Sequence, residues 1–249
     1  MTIDKTVVIL QSNYIPWKGY FDLMNAADVF VLFDEVQFSR RDWRNRNKII
    51  VDGQPRWLTI PVRSKGKYAA TISEIGVTDG RWAQKHWTSI KMAYGKAPFF
   101  RNYAHGLESV YTAASAETNL SAINRLFLDH LAAALGIEIT FGQSETVSRR
   151  KSDPTERLIE ICKGFGATRY LSGPAARSYI DPQVFTEAGL DLCYADYAGY
   201  PDYAQQSDSF EHGVSVIDLL MMVGPDAINH LKSRTPGGLC AMQEVRQGE

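Results

Sequence analysis

The chain has 249 residues, 45% of them hydrophobic and 22% charged, with a formal net charge of −1. A chain of that length buries a core without disulfides or metal, and its charge balance gives no global attraction to nucleic acid or an anionic membrane. No apolar run approaches the roughly 18 residues of a bilayer span, and the start, MTIDKTVVILQSNY, has neither the basic lead nor the cleavage site of a secretory signal, so a cytoplasmic location is expected.

Three cysteines, Cys162, Cys193 and Cys240, are widely spaced and form no C-x-x-C pair. They are expected as reduced, mostly buried thiols and not as a disulfide framework or zinc site. The five histidines show no metal-ligand spacing, so no metal is expected.

In chain order, Val7–Leu10 is a continuous apolar run, the pattern of a strand covered on both faces. Pro16 suits a first helical turn, and Phe21, Leu23, Met24 and Ala27 recur at helical spacing before a second buried run, Val29–Phe33. Strand, loop, helix and strand make a βαβ unit, whose ligands sit at the carboxyl ends of the strands. Lys48–Val51, Asp52-Gly53 and Arg56–Val62 read as a β-hairpin, and Thr71–Val77 as a short strand. Helices follow over Trp82–Tyr94, Phe99–Ala114 and Leu120–Leu135, then a strand over Ile137–Phe141. Ser152-Asp153-Pro154 starts a helix ending near Gly164. Strands at Ala167–Leu171 and Leu190–Tyr194 bracket a helix over Asp181–Ala188, and helices at Ser215–Met222 and Pro225–Lys232 close the fold. The expected class is α/β: a Rossmann-like, mostly parallel sheet with flanking helices, a β-hairpin insertion and a helical segment. One domain over residues 1–234 is expected, with a potential subdivision near 145–150, and a disordered tail over 235–249.

Two polar clusters begin at strand ends, Gln11–Tyr20 and Asp34–Arg46. In the first, Gln11, Asn13, Tyr14, Trp17 and Tyr20 suit a pocket wall, with amides for hydrogen bonding and rings for stacking on a base or sugar; the plainer reading is core packing and helix capping. Rossmann-like nucleotidyl transferases carry His-x-Gly-His at this point. Here Trp17-Lys18-Gly19-Tyr20 keeps only the glycine, which leaves room for close approach of a ligand but no phosphate-stabilising imidazole. In the second, Arg40, Arg41, Arg44, Arg46 and Lys48 surround Trp43 and Asn45, and Gln37 precedes them. Guanidinium groups bind phosphate bidentately, so this block suits a diphosphate, though any one of its arginines alone reads as a solvated charge. Asp34 is a candidate general base, a ribose ligand or an ion-pair partner of an arginine, and His86 a candidate acid/base group or a core histidine. Ser172-Gly173 is either an anion-binding turn or simply a tight turn.

The motifs QSNYIPWKGYFDLMNAADVFVLFDEVQFSRRDWRNRNKI, HWTSIKMAYGKAPFF, ATRYLSGPAARSYID and SVIDLLMMVG resemble the WbqC-like family over residues 7 to about 232. The matched positions are Gln11, Asn13, Tyr14, Pro16, Trp17, Gly19, Tyr20, Asp34, Gln37, Phe38, Arg44, Asn45, Arg46, Trp87, Tyr94, Ser172, Gly173, Gln205, Ser215 and Asp218. The resemblance implies a sugar-modifying step of bacterial O-antigen or other surface-polysaccharide biosynthesis, and a proposed attachment of an acyl or aminoacyl group, such as glycyl, to a nucleotide-linked amino sugar. It carries over no catalytic residue. No tightly bound cofactor is expected, the activated acyl, aminoacyl or nucleotide co-substrate is open, and the expected partner is a small-molecule nucleotide sugar. No general nucleic-acid surface is expected, with an aminoacyl-tRNA donor left open. The alternatives are an ATP-dependent nucleotidyl transferase or ligase and a non-catalytic nucleotide-sugar binding module.

Overall fold

The two apolar runs near the N-terminus dictate a sheet covered on both sides, because alternate residues of each point to opposite faces and all are apolar. The computed structural model describes residues 4–144, 153–234 and 238–241. Strand β1 (Thr6–Leu10) leads into helix α1 (Lys18–Asn25) and then β2 (Val29–Leu32), which lies parallel to β1 in the register Val7 against Val29 through Leu10 against Leu32. Val8 and Phe30 enter one buried cluster, while Val7, Ile9, Val29 and Val31 enter a second on the other face.

The hairpin β3 (Arg46–Val51) and β4 (Gln54–Thr59) forms as expected. Asp52 and Gly53 both have positive φ, 48° and 76°, which is the backbone a two-residue hairpin turn requires. Thr71–Val77 is not a strand. Ile72–Glu74 is a 3-10 turn closed by a Thr71–Glu74 capping box, and extended pairing is limited to isolated bridges at Thr71, Gly76 and Val77. Helices α2 (Arg81–Tyr94), α3 (Phe100–Ala116) and α4 (Leu120–Ala134) then pack on the first face.

Strand β5 (Thr140–Gln143) follows, a few residues later than its apolar run suggests. Helix α5 (Pro154–Gly164), capped by Asp153, covers the second face together with α6 (Pro182–Glu187). Between them runs β6 (Arg169–Ser172), and after them β7 (Asp191–Ala195). Helix α7 (Val216–Val223) returns to the first face, and Gly224–His230 is a 3-10 helix where an α-helix from Pro225 is expected. The sheet order is β5-β2-β1-β6-β7 with all neighbours parallel, and β8 (Cys240–Ala241) adds antiparallel to β7. This mostly parallel α/β arrangement is Rossmann-like, with its topological switch point between β1 and β6.

Of the expectations about the C-terminal part, that of reduced thiols needs correction. Within residues 235–249 the described part includes β8, and the rest of that tail, like the 145–150 region, lies outside the described residues. Cys193 and Cys240 are disulfide-linked, with Cα atoms 5.9 Å apart, because β8 folds back beside β7; the linear spacing of 47 gives no sign of this. Cys162 is the free thiol, and burial pushes its pKa up to about 12.

Asp22 ties this last segment to α1. Its fully buried carboxylate accepts from the Tyr200 hydroxyl at 2.5 Å, from Lys232 N at 2.9 Å and from Ser233 N at 2.8 Å. Asp22→Ala leaves these donors without their acceptor, and the expected loss of stability is about 3 kcal/mol. Urea unfolding measures it, and a change below about 1 kcal/mol contradicts the assignment.

Candidate functional site

The loop Gln11–Trp17 leaves β1 at the switch point, and side chains from three other elements hold it. Ser12 N donates to Asp34 Oδ1 at 2.7 Å, just past the end of β2. Asn124 Nδ2, from α4, donates to Ser12 Oγ and to the Arg44 carbonyl, both at 2.9 Å. Asn47 Nδ2, from β3, donates to the carbonyls of Tyr14 at 3.3 Å and Ile15 at 2.9 Å. Ile15 has a φ of 36°, a left-handed backbone that a β-branched residue adopts at a cost of about 1–3 kcal/mol. The Asn47 bonds fall on this strained peptide and help offset the cost.

Arg44 completes the loop's restraint. Its guanidinium donates to Gln11 Oε1 and to Asn13 Oδ1, and Asp42 Oδ2 lies 3.6 Å from Nη2. The side chain is only 15% exposed, and burial lowers its pKa against the opposing pull of Asp42, Tyr20 and Asp34. Arg44 thereby fixes one wall residue of each of two cavities. Gln11 lines a cavity of about 400 Å³ with Ile9, Leu10, Phe33, Val36, Leu158 and Tyr170, next to Arg157. Asn13 lines one of about 500 Å³ with Trp17, Trp43, Asn47, Tyr197 and His212. The first is mostly aliphatic and the second aromatic with two amides.

The other expected site residues divide sharply. Asp34 is 8% exposed and lines a third, polar cavity of about 270 Å³ with Glu35, Ser73, Ser121 and Arg125. Tyr14 is fully buried, and its hydroxyl meets His86 Nδ1 at 2.9 Å and the Tyr111 hydroxyl at 2.7 Å. Tyr20 is 3% exposed, packs on Phe30 and donates to the Gln11 carbonyl at 3.0 Å, so it supports the loop from beneath. The space beside Gly19 is filled by the Trp17 indole, which a Cβ would meet at 2.3 Å; the glycine admits a side chain of this protein and not a ligand. Asn45 is buried and bonds the Ile60 carbonyl at 2.8 Å, bracing the hairpin. Gln37 bonds the Tyr68 carbonyl at 2.5 Å, and Arg46 donates to the Arg41 carbonyl while covering Trp57. Ser172 is buried at the end of β6, and the five-residue turn after Gly173 begins with Pro174, which has no N–H to offer an anion. Gly173 instead faces the Tyr197 hydroxyl, close to the aromatic cavity.

Several residues at the site escape the sequence reading. Asn47 has a readable signal: it lies within strand β3, where asparagine is disfavoured unless its amide has specific work. Tyr197 and His212 come from the aromatic loop before α7, and nothing in the linear pattern brings them to Trp17, although the Trp17 and Tyr197 rings lie 4.9 Å apart. Lys18 is 3% exposed, its ammonium donating to the Pro201 carbonyl at 3.0 Å with the rings of Tyr200, Tyr203 and Phe210 within 5.4 Å. Burial brings its pKa down to about 8 against the pull of Asp202, Asp218 and Asp22. Among the described residues, no group of three or more His, Cys, Asp or Glu is placed to hold a metal ion.

His86 sits inside an aromatic nest of Tyr14, Trp82, Tyr111 and Phe127 and lines none of the cavities above. Burial lowers its pKa from 6.5 to about 4, against a hydrogen bond with the Thr59 backbone, so the ring is neutral at pH 7. Between pH 6.5 and about 4 the unfolded chain binds the proton that the folded chain refuses, so stability present above pH 6.5 is lost as pH falls to about 4. The expected slope reaches about 1.4 kcal/mol per pH unit within that window. Urea unfolding of the wild type and of His86→Gln across this range reads it as a difference. Equal pH slopes for the two proteins would remove the assignment.

No helix among the described residues is long and apolar enough to cross a membrane. No solved structure matches the chain. An uncharacterized protein of Mycobacterium tuberculosis, Rv1507c, is 41% identical over 228 residues, covering 92% of this chain and 98% of its own length. The WbqC-like protein family matches residues 11–230, which include the Gln11–Trp17 loop, Arg44 and every wall residue of the aromatic cavity. The chain belongs to the WbqC-like protein family.

Proposed function

We propose that the protein is a transferase of surface-polysaccharide biosynthesis that attaches an acyl or aminoacyl group to a nucleotide-linked amino sugar. Family membership supports involvement in polysaccharide biosynthesis, and one structural observation carries the two-substrate reading. A single guanidinium, Arg44, holds a wall residue of each of two cavities of different chemistry, about 400 and 500 Å³. Each is of a size for a small organic ligand. Trp17, Trp43 and Tyr197 offer ring faces to a sugar, and Asn13 and Asn47 offer amides to its hydroxyls. The aliphatic cavity suits the uncharged part of a donor. Arg44, whose guanidinium is committed to Gln11 and Asn13, holds these two wall residues in place for the ligands.

In the reaction the sugar amine nitrogen attacks the donor's carbonyl carbon. The new C–N bond forms as the bond to the donor's leaving oxygen or sulfur breaks, and the amine proton passes to a base. Asp34, which Ser12 N holds against the same loop and which lines the third, polar cavity, is the carboxylate we assign as that base. His86, enclosed and neutral, is then a framework residue. The activated donor supplies the driving force, so no resident cofactor is required, and the cytoplasm is the compartment we assign to the reaction.

Incubation with amino-sugar nucleotides and activated acyl or aminoacyl donors, followed by mass spectrometry, is expected to give the mass increase of one acyl group. Pyrophosphate release from a nucleoside triphosphate, without acyl transfer, would instead favour a nucleotidyl transferase. Arg44→Lys keeps a charge but cannot reach both amides, and we expect it to weaken nucleotide-sugar binding roughly tenfold or more, about 1.4 kcal/mol. Thermal-shift titration measures this, and unchanged binding by a folded Arg44→Lys protein contradicts the role of the bridge.

A further inference from the structure

Five large apolar side chains are exposed among the described residues; two of them, Trp43 and Trp57, pair beside the aromatic cavity that Trp43 lines, and a third, Tyr68, is tied to the same segment through Arg40. Trp43 and Trp57 pair with ring centroids 5.3 Å apart, and the Arg46 guanidinium lies 4.1 Å over the Trp57 ring. Arg46 reaches the Arg41 carbonyl, and Arg40 donates to the Ser64 carbonyl at 2.9 Å and lies over the Tyr68 ring. These contacts join two segments that are separate in sequence. Residues 40–48 and 63–68 together carry eight basic side chains and one acidic one; Arg44 turns inward and Lys48 pairs with Glu211, which leaves Arg40, Arg41, Arg46, Arg63, Lys65 and Lys67 for this surface in a chain whose net charge is −1. In the linear sequence only the first segment stands out, and alone it is too narrow a basic stripe for nucleic acid.

We propose that this surface binds the single-stranded 3′ end of an RNA. Exposed rings interleaved with cations are what such an end requires: bases stack on the rings and phosphates follow the guanidinium and ammonium groups. Trp43 belongs both to this surface and to the wall of the aromatic cavity, so an RNA end stacked on Trp43 and Trp57 brings its terminal ribose to the mouth of that cavity. The binding stands on the surface itself. Its meaning for catalysis rests on the aminoacyl-transfer reading above, in which an RNA would carry the activated aminoacyl group. An anionic membrane fits less well, because the hairpin tip is Asp52-Gly53, with Gln54 bonded to Asp208, and no exposed large aliphatic side chain protrudes there to enter a bilayer.

The test is fluorescence anisotropy of the full chain with a labelled RNA hairpin bearing a short single-stranded 3′ end, with its blunt-ended counterpart, and a flotation assay with phosphatidylcholine–phosphatidylserine vesicles. The expected result is binding that needs the single-stranded end, weakens with salt and falls roughly tenfold in Trp57→Ala, whose exposed position leaves the fold intact. Lys65→Glu with Lys67→Glu is expected to weaken binding and lower its salt dependence. Equal affinity for both RNAs, unchanged affinity in Trp57→Ala, or binding to vesicles without binding to RNA overturns the proposal. A parallel thermal-shift titration with nucleotide sugars separates the two readings. Loss of RNA binding with sugar-nucleotide binding kept overturns only this inference, and the converse overturns only the amino-sugar reading.

Discussion

The Gln11–Arg44–Asn13 bridge is the interaction on which the site depends. A loop that leaves a central strand at the switch point has no ladder partner; beyond two backbone bonds, Tyr14 N to the Trp43 carbonyl at 3.1 Å and Val216 N to the Pro16 carbonyl at 2.9 Å, side chains impose its shape. Arg44 imposes it from the hairpin entry, Asn47 from β3, Asn124 from α4 and Asp34 from the end of β2. Each bond comes from a different element, and the strained Ile15 peptide persists because they agree. A loop fixed in this way can present two cavity walls without moving, which lowers the ordering cost of binding.

The same economy of buried polar groups extends behind the loop. Asp218 accepts from Tyr94 at 2.9 Å, Tyr203 at 2.6 Å and Gln205 at 2.7 Å, joining α7, α2 and the aromatic loop at one carboxylate. Burial raises its pKa while those three donors oppose the rise. Tyr94 also accepts from Ile50 N at 3.0 Å, so the hairpin hangs from the same network. With Asp22 and Lys18 nearby, buried charges of both signs back the aromatic cavity, and each has hydrogen-bonding partners, as burial of charge demands.

The fold is legible in the sequence because its signals are periodic. The all-apolar runs of β1 and β2, the Asp52-Gly53 turn and the Asp153-Pro154 helix start each follow from local chemistry. The cysteine pairing and β8 are not legible, since they depend on where a distant tail returns. At the site, Gln11, Asn13 and Arg44 are visible as a polar cluster, but their mutual bonding is not. Arg44 reads as a solvated charge or a phosphate clamp, and in the structure it turns inward. Tyr14 and His86 look chemically able and are held in the core, because an amphipathic aromatic in a helix or loop looks the same whether its polar end meets a ligand or another side chain. Gly19 reads as room for a ligand, and the room belongs to Trp17.

A crystal structure of the protein with a nucleoside-diphosphate amino sugar tests the central claim most directly. The account predicts the sugar ring against Trp17 and Tyr197 and a hydrogen bond from the ligand to Asn13, with the Gln11–Arg44–Asn13 bridge intact. A ligand bound away from these residues would contradict it.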